Sequence, residues 1–213
     1  MDKKKLPEAR KNQALISAKN EVTKMLASLE SELGQPLRAP NRGGVVFLLL
    51  DVSGSMEDKL CQAKSGALGF AKDAIGKGYA VGVILFGSSA SLLSPPCNDL
   101  SSLKVYIEKI SISGSTNMAH AIQLGVEQHQ GKHGQRVLVI VTDGAPDDRE
   151  ATLDAAKIAK VAGIDIITIG TDGADIQFLK LLASRTELAM AVAQNRLAVG
   201  MASAAKLLIG KKE

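Results

Sequence analysis

The stretch VVFLLLDVSGS, residues 45–55, decides the fold. Its first six residues are all apolar and include β-branched side chains, a composition typical of a strand that is covered on both faces. Such strands occur in parallel sheets that lie between two layers of helices. The polar residues that follow at once, Asp51 to Ser55, predict a loop at the carboxyl end of this strand.

Similar apolar stretches recur along the chain and alternate with helical patterns. Further strands are predicted at residues 80–86, 137–142, 164–169 and 188–192. Helical patterns lie at residues 57–76, 117–130, 149–162 and 196–209, with weaker ones at 98–109 and 174–184. The alternation predicts an α/β fold with a doubly wound, mostly parallel open sheet. Residues 88–94 follow the second strand too closely for a crossover helix, and they predict one short antiparallel edge strand.

The chain before this sheet has a different character. Residues 6–33 lack Gly, and their apolar stripe recurs at spacings of three and four: Leu15, Ala18, Val22, Met25 and Leu29. This pattern predicts an extra N-terminal amphipathic helix, followed by a linker. We therefore divide the chain into residues 1–42, the helix and linker, and residues 43–213, the α/β domain. The stripe has three interpretations: packing on the parent domain, a short coiled coil, or a partner-binding helix.

The composition is that of an ordinary soluble globular protein, with 46% hydrophobic and 23% charged residues among 213. The net charge of +4 comes entirely from residues 1–42, which hold nine Lys or Arg against five Asp or Glu. The remaining residues hold seventeen of each, and the whole chain has four Phe, two Tyr and no Trp. A neutral domain with few aromatic side chains does not indicate a nucleic-acid partner.

Three features of the sequence indicate the cellular compartment of the protein: its N-terminus, its apolar runs and its cysteines. It shows no secretory signal and no run of about 18 apolar residues, the length that a membrane-spanning helix requires. Cys61 and Cys97 lie outside any Cys-x-x-Cys spacing and predict neither a disulfide framework nor a thiolate zinc site. We therefore expect a cytoplasmic protein without a membrane partner, either a monomer or a weak oligomer.

Oxygen-bearing side chains follow the predicted strands. Asp51, Ser53 and Ser55 follow the first strand, Thr116 lies in the loop before a helix, and Asp143 follows the strand at residues 137–142. In open α/β sheets, ligands bind beyond the carboxyl ends of the strands. Two carboxylates and three hydroxyls are the hard oxygen donors that Mg²⁺ prefers. The sequence therefore predicts a metal site, and a carboxylate from outside could complete the ion's shell.

Helix capping is the competing explanation for the hydroxyls. Ser55 precedes one predicted helix, and Ser115 or Thr116 precedes another, all positions where a hydroxyl can accept a backbone hydrogen bond. Capping explains each loop taken alone. Three loops in this order at the same edge of the sheet favour the metal site.

The five residues resemble, in type and order, the metal-ion-dependent adhesion site (MIDAS) of von Willebrand factor type A (VWA) domains. The surrounding sequences, Gly-Ser-Thr-Asn-Met at 114–118 and Thr-Asp-Gly-x-Pro at 142–146, are similar to that family too, and the resemblance covers residues 43–209. It implies a Rossmann-like VWA fold in which Ser53, Ser55 and Thr116 bind the metal directly. It implies that Asp51 and Asp143 bind the metal directly or through water.

The resemblance also implies a function. Such a domain is a non-enzymatic interaction module that binds an Asp or Glu of a partner protein through Mg²⁺, with Mn²⁺ or Ca²⁺ as substitutes. Some members of the family act beside AAA-type ATPases or in signalling complexes, and either kind of partner is an expectation here.

Two alternatives from other functional classes remain. Phosphate-binding loops, dinucleotide fingerprints and the nucleophile elbow are missing, so we expect no enzyme. The strongest enzymatic alternative is a metal-assisted phosphohydrolase with Asp51 as its nucleophile, although Ser53 stands where a second carboxylate is needed. The other alternative is an assembly protein that acts through the N-terminal helix and has a silent metal site.

A few other polar residues carry weaker expectations. His129 and His133 lie beside Gly131 and Gly134, and we expect both to be solvated loop residues. His120 could lie at the rim of the site or on the helix surface. Asp147 is expected to serve the start of a helix, with a rim contact as its second interpretation.

Overall fold

Residues 43–208 are described by a computed structural model of the protein. The predictions for residues 1–42, namely the N-terminal helix and the linker, lie outside the described residues. The last residue of the helix predicted at 196–209 lies outside them as well.

The described residues form one six-stranded sheet. The strands are β1 Gly44–Asp51, β2 Tyr79–Phe86, β3 Ala90–Cys97, β4 Gln135–Thr142, β5 Asp165–Gly170 and β6 Ala189–Ala191. Their order across the sheet is β3-β2-β1-β4-β5-β6. Every neighbouring pair is parallel except β2 with β3, so the mostly parallel sheet with one antiparallel edge strand is confirmed.

The edge strand lies further along the chain than residues 88–94. It runs from Ala90 to Cys97 and therefore includes Pro95 and Pro96. Proline lacks a backbone N–H, which an edge strand tolerates because one side of the strand has no partner.

Helices cover both faces of the sheet. They are α1 Leu60–Gly76, α2 Leu100–Glu108, α3 Met118–Gln128, α4 Arg149–Val161, α5 Ile176–Leu182 and α6 Leu197–Ala204. Two predicted helices are each split: a 3-10 helix at Gly54–Lys59 precedes α1, and another at Ala205–Leu207 follows α6. None of the helices within residues 43–208 is long and apolar enough to cross a membrane.

The alternation of side chains along β1 divides the core into two layers. Val46, Leu48 and Leu50 pack in the layer that contains α1, α2 and α6. Phe47 and Leu49 pack in the layer that contains α3, α4 and α5. All five are buried, and each such side chain contributes roughly 1.5–3 kcal/mol relative to exposure. The wholly apolar sequence of β1 thus follows from its position at the centre of a doubly wound sheet.

The prediction for His129 is wrong. His129 is the C-cap residue of α3 and precedes the turn at Gly131, so it is fully buried against the core, with its ring edge-on to Phe47 at a centroid distance of 5.0 Å. Its Nδ1 lies 2.8 Å from the Gly125 carbonyl oxygen, and its Nε2 lies 3.3 Å from that of Val45.

The other two histidines are exposed. His133 lies in the loop before β4, as expected. His120 is on the surface of α3, and its Nδ1 accepts a hydrogen bond from the Ala90 N–H at 3.0 Å. His120 therefore holds the start of the edge strand.

Candidate metal centre

The order of the strands creates a crevice between β1 and β4. From β1 the chain continues to β2 on one side, whereas β4 continues to β5 on the other. Ligands of doubly wound sheets bind where the direction of winding changes in this way. Asp51 is the last residue of β1, and Asp143 directly follows β4, so both carboxylates lie at this crevice.

Asp51 is a fully buried carboxylate. Its Oδ1 accepts a hydrogen bond from the Ser53 N–H at 2.8 Å, and its Oδ2 accepts one from the Thr142 hydroxyl at 2.6 Å. Among the described residues, no Lys, Arg or His forms an ion pair with it. Burial raises the pKa of the Asp51 carboxyl above its usual range, against the opposing effect of the hydrogen bonds. A carboxylate in these surroundings favours a nearby cation.

Ser53, Ser55 and Asp143 form a hydrogen-bonded chain next to Asp51. The two serine hydroxyl oxygens lie 3.1 Å apart, and the Ser55 hydroxyl donates to Asp143 Oδ1 at 2.7 Å. Ser53 and Asp143 are buried, whereas Ser55 is exposed. Four of the five predicted ligands are therefore connected, and Ser55 lies on the solvent side.

Thr116 is brought to the same edge by its loop. The Ser113 N–H donates to the Val52 carbonyl oxygen at 2.6 Å, which ties this loop to the one after β1. Gly114 adopts a φ of 74°, and a Cβ there would lie 2.0 Å from the Ser88 hydroxyl oxygen. Only glycine fits this tight turn. Within the described part of the chain, no hydrogen bond joins the Thr116 side chain to the other four residues.

Asp147 connects the Thr116 loop to the loop after β4. Its carboxylate accepts hydrogen bonds from the Thr116 N–H at 3.0 Å and from the Ser115 hydroxyl at 2.8 Å. Its own N–H donates to the Thr116 carbonyl oxygen at 3.1 Å. Asp147 therefore holds the backbone that carries Thr116, whereas the start of the helix that it was expected to serve is capped by Asp148.

Capping does not explain the hydroxyls. Ser53, which precedes the 3-10 helix at Gly54–Lys59, makes no side-chain capping hydrogen bond. The Ser55 hydroxyl bonds to Asp143, and α3 is capped by the Asn117 side chain, which accepts from the His120 N–H. The hydroxyls of Ser53 and Ser55 therefore bond to each other and to Asp143 and do not cap a helix.

Lys59 is a site residue that sequence reasoning missed. Its Nζ lies 2.6 Å from Asp143 Oδ2 and donates to the Ser55 carbonyl oxygen at 3.0 Å. The signal that could have found it is its spacing, because a residue four positions after Ser55 in a helix reaches back over the preceding turn.

A model of the von Willebrand factor type A domain matches residues 45–201. The chain belongs to this family. Over 139 residues, or 59% of the chain, it is 28% identical to inter-alpha-trypsin inhibitor heavy chain H1 of Mesocricetus auratus. The matched segment spans only 15% of that relative's length.

Two solved structures are similar to this VWA domain. The vWF domain of the type V pili tip protein Mfa5 from Porphyromonas gingivalis gives a TM-score of 0.71 at 14% identity, covering 79% of this chain and 97% of that one. Proximal thread matrix protein 1 from the mussel byssus was solved with a zinc-occupied MIDAS motif. Its structure gives a TM-score of 0.65 at 19% identity, covering 79% of this chain and 47% of that one. At these identities the likenesses show the fold.

The donor set of this VWA domain suits a hard divalent cation. Within residues 43–208 no group of three or more His, Cys, Asp or Glu side chains comes together. The candidate ligands are instead two carboxylates and three hydroxyls, all oxygen donors. A buried carboxylate that no cationic side chain pairs with among the described residues, beside serine hydroxyls that cap no helix, fits an ion of this kind.

Proposed function

We propose that this VWA domain binds a partner protein through a divalent cation held by Asp51, Ser53, Ser55, Thr116 and Asp143. The observation that carries the proposal is the buried Asp51 carboxylate, which lies at the crevice beside Ser53 and has no cationic partner within residues 43–208. The bound ion supplies a positive charge that attracts an Asp or Glu of the partner. Mg²⁺ is the expected ion in the cytoplasm, and Mn²⁺ or Ca²⁺ could replace it.

The set of proposed ligands supports the binding of an acidic group. Asp51 and Asp143 are the two carboxylates among the proposed ligands, and Lys59 pairs with Asp143. The other three ligands are neutral hydroxyls, and five protein ligands leave one position of an octahedral Mg²⁺ shell for a carboxylate of the partner. Ser55 is exposed, which leaves the site open toward solvent.

Family membership supports a protein-interaction module. The relative with zinc in its MIDAS motif is consistent with a divalent cation at this position. An AAA-type ATPase or a signalling complex is the kind of partner that we propose to look for.

The structure disfavours the phosphohydrolase alternative. A nucleophilic carboxylate has to attack the substrate directly, whereas a carboxylate can hold an ion through water. Asp51 is fully buried and both of its oxygens already accept hydrogen bonds, which counts against direct attack. Incubation with a generic phosphate ester and Mg²⁺ tests this. We expect no turnover, and turnover that Asp51→Asn abolishes would overturn the binding proposal.

Partner capture tests the proposed function. The full chain is used to capture proteins from native lysate, once with Mg²⁺ and once with EDTA. We expect a partner that is retained only with Mg²⁺, lost with Asp143→Asn and kept with Asp154→Asn, an exposed carboxylate on α4. Partners that survive EDTA but are lost when residues 1–35 are deleted would favour the assembly alternative instead.

A further inference from the structure

We propose that Lys59 is a tethered competitor of the divalent cation: its ammonium group holds Asp143 in the metal-free protein and leaves when the ion binds. The inference rests on the proposed function, because it assigns a role to Lys59 within the same site. It concerns how readily the site takes up its ion.

The Lys59–Asp143 pair differs from the other ion pairs within residues 43–208. The Lys59 side chain is 12% exposed and that of Asp143 is 1% exposed. In the other three pairs, each side chain is between 38% and 73% exposed. Charge pairs in solvent contribute little, whereas a largely buried, hydrogen-bonded pair holds its partners firmly. Lys59 is therefore fixed in the site and is not a solvated surface lysine.

The contacts of Lys59 overlap with those that a metal ion needs. Both oxygens of Asp143 are taken, Oδ1 by the Ser55 hydroxyl at 2.7 Å and Oδ2 by Lys59 Nζ at 2.6 Å. The ammonium also donates to the Ser55 carbonyl oxygen. It thus contacts two of the five proposed ligand residues. A divalent ion at these residues has to displace Lys59 from Asp143 Oδ2, and the positive charge of the ammonium repels the ion.

Lysine is suited to leaving such a site. Its charge sits at the end of a flexible four-carbon stem, and Lys59 is the last residue of the 3-10 helix, so the ammonium can move toward solvent without moving the backbone. Two consequences follow. Lys59 lowers the affinity of the metal-free protein for the ion, and ion binding places a freed positive charge at the rim, where an acidic partner group is expected.

Titration calorimetry with Mn²⁺ on the full chain tests the competition. Lys59→Gln removes the charge but keeps a polar side chain, and we expect its affinity for Mn²⁺ to exceed that of the wild type by about tenfold or more. Lys72→Gln is the matched control, because Lys72 is exposed on α1 and its loss changes the net charge equally. We expect this control to bind as the wild type does. Equal or weaker binding by Lys59→Gln would overturn the inference.

Amine labelling of the wild-type protein gives a second readout that depends on no variant. Acetic anhydride labelling, followed by mass spectrometry, compares Lys59 with Lys72. Without metal we expect Lys59 to react more slowly than Lys72, and with Mg²⁺ we expect its rate to rise several-fold while that of Lys72 stays constant. A Lys59 rate that Mg²⁺ leaves unchanged or lowers would overturn the inference, including in the case that Lys59→Gln does not fold.

The outcomes separate this inference from the proposed function. Equal Mn²⁺ binding by the wild type and Lys59→Gln refutes the competition and leaves the metal site standing. Binding by Lys59→Gln alone supports the competition but contradicts the proposed function of the native protein. If neither protein takes up Mn²⁺, both proposals fail.

Discussion

At the scale of single residues, Asp51 shows how the site and the stability of the fold oppose each other. Burial raises the pKa of its carboxyl, so the ionised form that binds a cation is disfavoured in the metal-free protein. Functional groups of this kind commonly reduce stability. The carboxylate that favours a cation at the site thus lowers the free energy of unfolding when no cation is bound.

Asp51→Asn is therefore expected to stabilise the metal-free protein and to abolish metal binding. The melting temperature in EDTA should rise by about 2–4 °C, the shift that roughly 1 kcal/mol produces in a domain of this size. Thermal unfolding measures the first effect, and Mn²⁺ titration measures the second. Asp154→Asn, on the exposed face of α4, should change neither. A lower melting temperature for Asp51→Asn would contradict this view of the buried carboxylate.

His129 makes the stability of the domain depend on pH. Burial lowers its pKa below the usual value of 6.5, although two carbonyl oxygens face its ring nitrogens. On acidification the unfolded chain therefore takes up a proton before the folded chain does. The contribution of neutral His129 to the stability of the fold is complete above about pH 6.5. It is lost as the pH falls from about 6.5 toward the lowered pKa of His129.

Urea unfolding at pH 7.5 and pH 5.5 measures this dependence. We expect wild-type stability to fall by about 1 kcal/mol between these conditions, and His129→Gln to lose less. His133→Gln removes an exposed histidine and should behave as the wild type does. Equal losses for the wild type and His129→Gln would show that the buried imidazole does not titrate in this way.

At the scale of elements, the site depends on how three loops are held together. Asp147 accepts hydrogen bonds from the Thr116 N–H and the Ser115 hydroxyl, and it returns one to the Thr116 carbonyl oxygen. Asp147→Ala removes the side-chain bonds and should loosen the loop that carries Thr116. We expect its affinity for Mn²⁺ to fall by about tenfold, as is common for residues that orient metal ligands.

The effect of Asp147→Ala is read by calorimetry together with thermal unfolding. Asp147→Asn keeps one carbonyl oxygen for the Thr116 N–H and should lie between the wild type and Asp147→Ala in affinity. A general loss of structure would lower the melting temperature of Asp147→Ala strongly, and we expect at most a few degrees. Unchanged affinity in both variants would show that the loop needs no such support.

The strands at the centre of the sheet were predictable from the sequence because burial on both faces requires apolar residues throughout. The apolar residues of β1 identify it as a strand because both of its faces are buried, and the polar residues that follow mark where the strand ends. The split of the helix predicted at 57–76 was not readable, since a 3-10 turn and an α-helix share similar apolar spacing. The extension of β3 through Pro95 and Pro96 was missed because proline usually ends a strand.

The proximity of four of the five proposed ligands was predictable from the sequence, but the residues that support them were not. Asp51, Ser53, Ser55 and Asp143 come together as their order along the sheet suggested. The contact of Lys59 with Asp143 joins residues 84 positions apart. The spacing of Lys59 from Ser55 could have indicated that it lies near this loop, but not that it pairs with Asp143, and the bonds of Asp147 to the Thr116 loop had no signal of this kind.

At the scale of the whole molecule, the sheet order explains why the loops meet. The centre of the sheet is the β1–β4 pair, and the helices are divided between its two faces. The loops after β1 and β4 therefore open at one edge, where a third loop is tied to them. The VWA fold thus brings proposed ligands from distant parts of the chain to one edge of the sheet, while the N-terminal helix stays a prediction.

Titration calorimetry of the full chain with Mg²⁺ and Mn²⁺ tests the central claim most directly. The comparison is between the wild type and the double variant Ser53→Ala and Ser55→Ala, with Ser65→Ala and Ser111→Ala as an exposed double control. We predict single-site uptake by the wild type and the control at millimolar concentrations or below, and none by the double variant. The account would be contradicted if the wild type took up no ion, or if all three proteins took it up equally.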